Sequence, residues 1–263
     1  MIKTINFYSI RALTNLHVGS GDNNYGVVDN LVQRDVNTTL PTIHSSSLKG
    51  ALKEFFTYTD NSIISTVFGD SDNAGQWQFL SADLLSRPLR SDKTPYFHAT
   101  SPEVLNGLAQ KFKNMGLKVP PGLLKLAQIE VARDKPVVFE SAYEEAIIEE
   151  LDWQAKHMST DASMDWINNV LGENLVLVHD SDFRKLELPV IARNYLENGE
   201  SKNLWYEEVV PYDARFGVFI LQSEDHAQAF DKALEHHVQI GANASIGYGL
   251  CRLTNTSSLV TTA

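Results

Sequence analysis

Strand and helix signals alternate in matching order at the two ends of the chain, and few folds accommodate both. At the N-terminus, residues 4 to 18 alternate through Ile5, Phe7, Ser9 and Arg11 and continue to Leu13, Leu16 and Val18, which predicts a strand. The strand runs into GSGDNNYG, where Gly19, Gly21 and Gly26 with Asn23 and Asn24 are residue types that accept a positive φ, so a tight irregular loop is expected. After VVDNLVQRD and a turn near Asn37 to Pro41, SSSLKGALKEFF spaces Leu48, Ala51, Leu52, Phe55 and Phe56 as one buried stripe of a helix, with Ser45 or Ser46 at its N-cap. The C-terminal part repeats the order with the strand RFGVFIL, the helix HAQAFDKALEHHVQ, the loop GANASIGYG and a last strand, GLCRLTN.

This order predicts an α+β fold, a ferredoxin-like (RRM-like) antiparallel sheet with long insertions between its halves. Such a sheet is also a known platform for single-stranded RNA, by analogy of fold alone. The chain reads as a single domain, with a core at about 1–92 and 205–254 and an inserted region at about 93–204. Within the insertion, PEVLNGLAQKF has helical spacing and is opened by Pro102. Met164, Ile167, Val170 and Leu171 suggest a short helix ended by Gly172. VVFESAYEEAII fits a strand or a helix, and residues 173 to 204, with the turn ENGES, read as an inserted hairpin.

Composition narrows the function classes. At 263 residues and 43% hydrophobic the chain can bury a sizeable core, and a formal net charge of −11 excludes a globally basic, histone-like binder of nucleic acid. The charge is uneven: residues 84 to 118 hold six bases against two acids, whereas residues 130 to 152 hold eight acids against two bases. The lone Cys251 can form no internal disulfide, which suits a reducing cytosol. No basic start followed by an apolar run is visible, and the longest apolar runs are strand-sized, so a cytoplasmic protein with no membrane partner is expected. The eight histidines include no H-x-x-x-H pair, no Walker loop is present, and no nucleophile elbow surrounds HSSSLKG.

Residues 16 to 53 carry the most specific pattern: LHVGSG, GVVDN, LVQRD and HSSSLKGALK in succession. It resembles the RAMP superfamily, and specifically the backbone subunit of type III CRISPR effector complexes. There a histidine-glycine loop leads to glycine-x-x-aspartate, a Q/R-R-D/E element, a proline and a Ser-Ser-Leu-Lys-Gly helix start. The matching positions are His17, Gly19, Gly21, Gly26, Asp29, Gln33, Arg34, Asp35, Pro41 and Ser46 to Gly50. VFGDSDNAGQWQFLSADLLSRPLRS, FHATSPEVL, LWYEE and VQIGANASIGYGLCRL follow the order of the type III-B (Cmr) subfamily. Two places depart from the family: His44-Ser45 stands for Pro-Gly, and Gly241-Ala242 for two glycines, which restricts φ and predicts loops of different shape.

The resemblance implies a hand-shaped protein that stacks on identical copies along a guide (cr)RNA, beside other Cmr effector subunits. It implies that single-stranded target RNA is held opposite, splayed by an inserted thumb and cut at regular intervals. The thumb candidate is the hairpin near residues 173 to 204. The implied cut is metal-dependent, with Mg²⁺ or Mn²⁺ at a loop aspartate carried here by Asp29. The chemistry is economical, because the target's own 2′-OH can attack the adjacent phosphate and a carboxylate that holds an ion or takes the 2′-OH proton promotes it. Two other readings stay open: a non-catalytic structural RNA-binding backbone subunit, III-A-like or III-B-like, and a solitary RAMP guide-processing endoribonuclease.

Residue chemistry leaves a second reading at each candidate position. An aspartate between a glycine turn and a strand, as Asp29 is, often bonds only to local backbone. His17 could orient RNA or transfer a proton, or be a satisfied structural group, and Glu207 is either a second acid or a solvated charge. Gly19, Ser20, Gly21 and Arg34 lie in the first loop region. At the helix start, Ser46, Ser47, Lys49 and Lys53 combine free N–H groups with two ammonium groups, a corner that suits phosphate, although both lysines could be plain surface charges. The late loop offers Gly241, Asn243, Gly247, Tyr248 and Gly249, by freed N–H groups or as a mere tight turn. Arg90 is an RNA contact or a rim ion pair.

Overall fold

A computed structural model describes residues 4–21, 26–149 and 152–257; Asn23 and Asn24 of the first glycine loop lie outside the described residues. In chain order, β1 (Thr4–Ala12) and β2 (Thr42–Ile43) lead to α1 (Ser45–Thr59), a 3-10 turn and α2 (Ile64–Val67). β3 (Gln78–Phe79), β4 (Ala82–Arg90) and β5 (Tyr96–Thr100) precede α3 (Pro102–Asn114) and α4 (Leu123–Ala127). β6 (Val137–Val138), β7 (Glu145–Ile148), β8 (Trp153–His157), α5 (Asp165–Leu171), β9 (Leu175–Leu177) and α6 (Asp180–Lys185) follow. Then come β10 (Val190–Glu197), β11 (Glu200–Glu208), β12 (Arg215–Gln222), α7 (Ala227–Ala233), β13 (Val238–Gln239) and β14 (Leu250–Asn255).

The result is a mixed α/β fold on one large, mostly antiparallel sheet in the order β13-β14-β1-β12-β4-β5-β9-β6-β8-β7. The pairs β5–β9 and β6–β8 are parallel. β10 and β11 form a separate two-stranded ribbon, turned by Asn198 and Gly199, both at positive φ, as a tight hairpin favours. No helix among the described residues is long and apolar enough to cross a membrane.

Both faces of β12 are covered along most of its length, which is why FGVFIL reads as a near-continuous apolar run. On one face Tyr8, Ile10, Phe216 and Val218 meet the α1 stripe of Leu48, Leu52 and Phe56 and Phe230 of α7. Phe56 and Phe230 stack at 4.8 Å. On the other face Phe7 and Phe219 pack with Phe112 of α3 and Trp166 of α5. Gly217 permits that second layer, because a Cβ there would lie 2.6 Å from the Phe7 ring and 2.9 Å from Leu85. Further along β1, Ser9 and Arg11 line an open cleft instead.

Several expected elements differ in extent. β1 stops at Ala12, since Leu13 N–H turns to Leu250 O and Leu16 pairs with Val210 instead of continuing the ladder. The N-cap of α1 is His44, not Ser45 or Ser46; its N–H donates to the Gln33 side chain, and Ser45 N–H donates to Ser81 Oγ. α7 ends at Ala233, because Val238 and Gln239 pair with β14 at the sheet edge. Of residues 173 to 204, β9 joins the large sheet and α6 follows it; the hairpin itself starts at Val190 and its second strand runs to Glu208, past the expected boundary at 204. The acidic stretch contributes strands, β6 and β7. Neither Ser45 nor Ala242 takes a left-handed φ, so the two departures from the family pattern introduce no backbone strain.

Candidate nucleic-acid interface

The candidate site is built where three segments far apart in sequence share main-chain bonds. The chain leaving β1 pairs with the stretch after Asp29: Ser20 N–H donates to Leu31 O at 2.9 Å and Gln33 N–H to Val18 O at 2.8 Å. That stretch in turn lies along the base of the ribbon, where Asp29 and Asn30 N–H both donate to Tyr206 O and Glu208 N–H donates to Asn30 O. The late glycine loop rests on His17, whose carbonyl accepts Ala242 N–H at 2.9 Å. Gly241 has φ of 79°, and a Cβ on it would lie 2.3 Å from that carbonyl.

Asp29 is exposed at this junction, and its Oδ2 accepts Tyr206 N–H at 2.7 Å, a bond spanning 177 positions. The carboxylate therefore helps to hold the ribbon base, across a long stretch of sequence. His17 is buried at the same ribbon base, with Nδ1 donating to Glu208 O at 2.7 Å and Nε2 at 3.9 Å from Glu207 Oε1. Gly19 leaves room for the ring, since a Cβ there would approach Nε2 to 3.2 Å.

Glu207 is 3% exposed, so it is not a solvated charge. Its Oε2 accepts from Arg193 at 2.9 Å and its Oε1 from the Asn243 side chain at 2.8 Å. Arg193 also lies 5.4 Å from the Trp205 ring centre and 5.8 Å from that of Tyr248. One carboxylate thus joins the ribbon to the late loop. Glu208, also buried, pairs with Arg34 and accepts Val32 N–H at 3.1 Å. Arg34 further donates to Thr39 O at 2.9 Å. Asp35 closes the next turn; its carboxyl is held below the usual range chiefly by Thr38 N–H, against a smaller opposing effect of burial.

Gln33 aligns α1 with this junction. Its amide oxygen accepts His44 N–H, and its amide nitrogen donates to Gly19 O at 3.1 Å and Ser47 Oγ at 2.9 Å. A groove of about 310 Å³ opens here, lined by Gly19, Gln33, Ser47 and Gly241, with Glu54 on its rim. Ser46 and Ser47 belong to the first turn of α1, whose N–H groups have no intrahelical acceptor, and Lys49 follows half-buried.

His17, Gly19, Ser20, Asp29, Arg34, Ser47, Glu207, Gly241, Asn243 and Tyr248 thus converge, with Gly21, Ser46 and Lys49 beside them. Gly247 and Gly249 shape the far limb of the late loop at φ of 84° and 77°. Lys53 donates to Gly69 O at 2.7 Å and closes a neighbouring loop, and Arg90, far along β4, lies 3.8 Å from Glu149. The roles of Gln33, Arg193, Trp205 and Glu208 in the junction were not legible, because their partners are brought in by the sheet and ribbon and not by local spacing.

Comparison with known proteins agrees with this architecture. The RAMP superfamily profile matches residues 9–252. The CRISPR system Cmr endoribonuclease Cmr4 of Pyrococcus furiosus is 30% identical, over 92% of each chain. The CMR subunit Cmr4 of Saccharolobus solfataricus is 26% identical over 94% of each. A chain in the cryo-EM structure of type III-B Cmr-beta bound to cognate target RNA superposes with a TM-score of 0.77 at 24% identity, covering 98% of this chain and 99% of that one, a likeness of fold. Oligomeric Cmr4 from Pyrococcus furiosus gives 0.70 at 25% identity, covering 97% and 98%.

Proposed function

The chain belongs to the RAMP superfamily, and from that premise we propose that it is a type III-B backbone subunit that stacks with identical copies along a guide RNA, binds single-stranded target RNA and cuts it as an endoribonuclease. A relative named as an endoribonuclease and an oligomeric Cmr4 structure support the activity and the stacking. The observation that carries the reading is Asp29: an exposed carboxylate fixed at the base of a projecting ribbon, on a junction of buried, paired residues. The order β14-β1-β12-β4, all antiparallel, with α1 and α7 as crossovers, supports a ferredoxin-like core within one domain. Other Cmr effector subunits are its partners and the cytoplasm its location on this reading.

The ribbon exposes Tyr195, Leu196, Leu204 and Tyr206, a set suited to wedging between bases. Splaying the target there would bring a 2′-OH in line with its own phosphate beside Asp29, which can accept the proton as the 2′-oxygen attacks phosphorus; the P–O5′ bond then breaks, leaving a 2′,3′-cyclic phosphate and a 5′-oxygen that takes a proton from water. Among the described residues no three His, Cys, Asp or Glu side chains are grouped so as to hold a metal ion between them. Asp29 could still hold Mg²⁺ or Mn²⁺, since such ions commonly take one or two carboxylates and complete their shell with water and substrate phosphates. A bound ion would supply neutralisation of charge at the phosphate. We assign Glu207 and His17 to positioning: they hold the ribbon and the late loop against Asp29. Guide phosphates would meet the groove between Gly19, Ser47 and Gly241 and the first turn of α1, with Ser46 and Lys49.

The test is to assemble the chain on a guide and follow a labelled complementary RNA with and without Mg²⁺ or Mn²⁺. Products at a regular interval that need the ion support the proposal. Assembly and target binding with no cutting in either ion mean a structural subunit, and a monomer that cuts only precursor guide means the solitary enzyme.

A further inference from the structure

The open half of the Phe7 face carries a feature outside that junction. Arg11 of β1 stands opposite Arg215 of β12 on one side and Arg252 of β14 on the other, so three arginines lie in register across three adjacent strands. Like charges placed directly opposite destabilise a sheet, and such a row is retained only with compensation. Asp213, 2% exposed, provides part of it. Its Oδ1 lies 2.5 Å from Arg11 Nε and 3.1 Å from Arg215, yet neither Asp213 Oδ1 nor the Nε of either arginine is aligned in a hydrogen bond. Burial alone would raise the Asp213 carboxyl, but His98, Tyr96 and Arg215 hold it well below the usual range, so it stays anionic. His98 Nε2 and Tyr96 Oη meet its Oδ2 at 3.2 and 2.8 Å. One carboxylate thus faces two guanidiniums, while Arg252 makes no ion pair among the described residues and lies within hydrogen-bond distance of the His237 ring, at 3.0 Å.

The row floors a concave cleft of about 570 Å³. The opposite wall supplies the amides of Asn168, Asn169 and Asn174 and the ring of Tyr96, with one further carboxylate, Glu173. Counting both acids, the lining keeps an excess of positive charge inside a chain of net charge −11. Guanidinium forks bind phosphate oxygens in pairs, amides suit base edges, and the volume falls in the range of small-molecule sites. We propose that this cleft binds the phosphate of a nucleotide, free or within an RNA strand, between the Arg11, Arg215 and Arg252 row and the Asn168 to Asn174 wall. The site stands apart from Asp29 and does not depend on the cleavage reading.

Calorimetry on the full chain tests this with AMP, adenosine and an RNA pentamer bearing or lacking a 5′-phosphate. AMP should bind and adenosine should not. Arg252→Ala, at an exposed position without an ion pair, should weaken AMP and pentamer binding about tenfold or more, the size of a lost charged hydrogen bond. Thr254→Asp, exposed on the same face, adds a carboxylate beside the row and should abolish binding without touching the core. AMP binding as tight as the pentamer identifies a free nucleotide; a tighter pentamer, indifferent to its 5′-phosphate, identifies a strand. Equal binding of adenosine and AMP, or wild-type binding in both variants, overturns the proposal. So does a wild-type self-association that Arg252→Ala dissolves with no nucleotide bound, which would make the cleft a seat for an acidic segment of another copy.

Discussion

Replacing Glu207 separates a structural pin from a reacting acid. In Glu207→Ala, Arg193 loses a hydrogen bond to the carboxylate at 2.9 Å and the Asn243 side chain another at 2.8 Å. A hydrogen bond to a charged group contributes about 1.5–3 kcal/mol. The Arg193 side chain is 20% exposed and keeps its two aromatic neighbours, so the lower end of the range applies. The sum is about 3 kcal/mol, which for a domain of this size lowers the Tm by about 6–12 °C. Glu207→Gln keeps an acceptor for Arg193, and Asn243 can turn its own oxygen to the new amide, so its Tm should fall by less than half as much. Thermal unfolding of both variants, beside target cutting at a temperature where both are folded, gives the answer. With Glu207 as a pin, the Gln variant retains most cutting. A Gln variant with wild-type Tm and no cutting would mean that Glu207 takes part in the chemistry, and an Ala variant with wild-type Tm would mean that it pins nothing.

Gly241→Ala and Gly247→Ala both force alanine into a left-handed φ, at about 1 kcal/mol each. Only Gly241 also meets a carbonyl, that of His17 at 2.3 Å, whereas the space around Gly247 is open; the first should melt several degrees below the second, and equal melting would contradict the placement of the late loop. Because the folded Asp213 carboxyl lies below its unfolded value, its contribution is present above about pH 4 and is lost progressively as the pH falls from there towards the much lower folded value. Asp213→Asn should therefore lower the Tm at neutral pH and flatten its fall below about pH 4, and an unchanged acid limb would refute the assignment. Guide binding resting on main-chain N–H groups and few cations predicts a log-log salt slope per subunit equivalent to about one to three phosphates at −0.7 each; a slope several times steeper would contradict it.

What could be read in the sequence was what local chemistry fixes. Pro102 opens α3, Gly172 ends α5, and the ENGES turn closes the ribbon at Asn198-Gly199, each within a few positions. The stripe of α1 was visible because its period is the helix's own. Elements decided by distant partners were not. Val238 and Gln239 continue a helical pattern but are taken by the edge of β14, and Leu175 to Leu177 look like the start of a hairpin but pair with β5. The glycine loops and Asp29 drew attention to the candidate site; Glu207 was visible as an acid but not as a buried one, since Arg193 and Asn243 reach it from another strand and another loop. Arg11, Arg215 and Arg252 are unremarkable in three separate strands until the register aligns them.

The most direct test of the central claim is target cutting by Asp29→Asn in a guide-loaded assembly. Asparagine keeps a side-chain oxygen to accept Tyr206 N–H, so the ribbon base should hold while the charge is gone. The account predicts unchanged assembly and target affinity with the regular ladder of products lost. A full ladder from that assembly would contradict it.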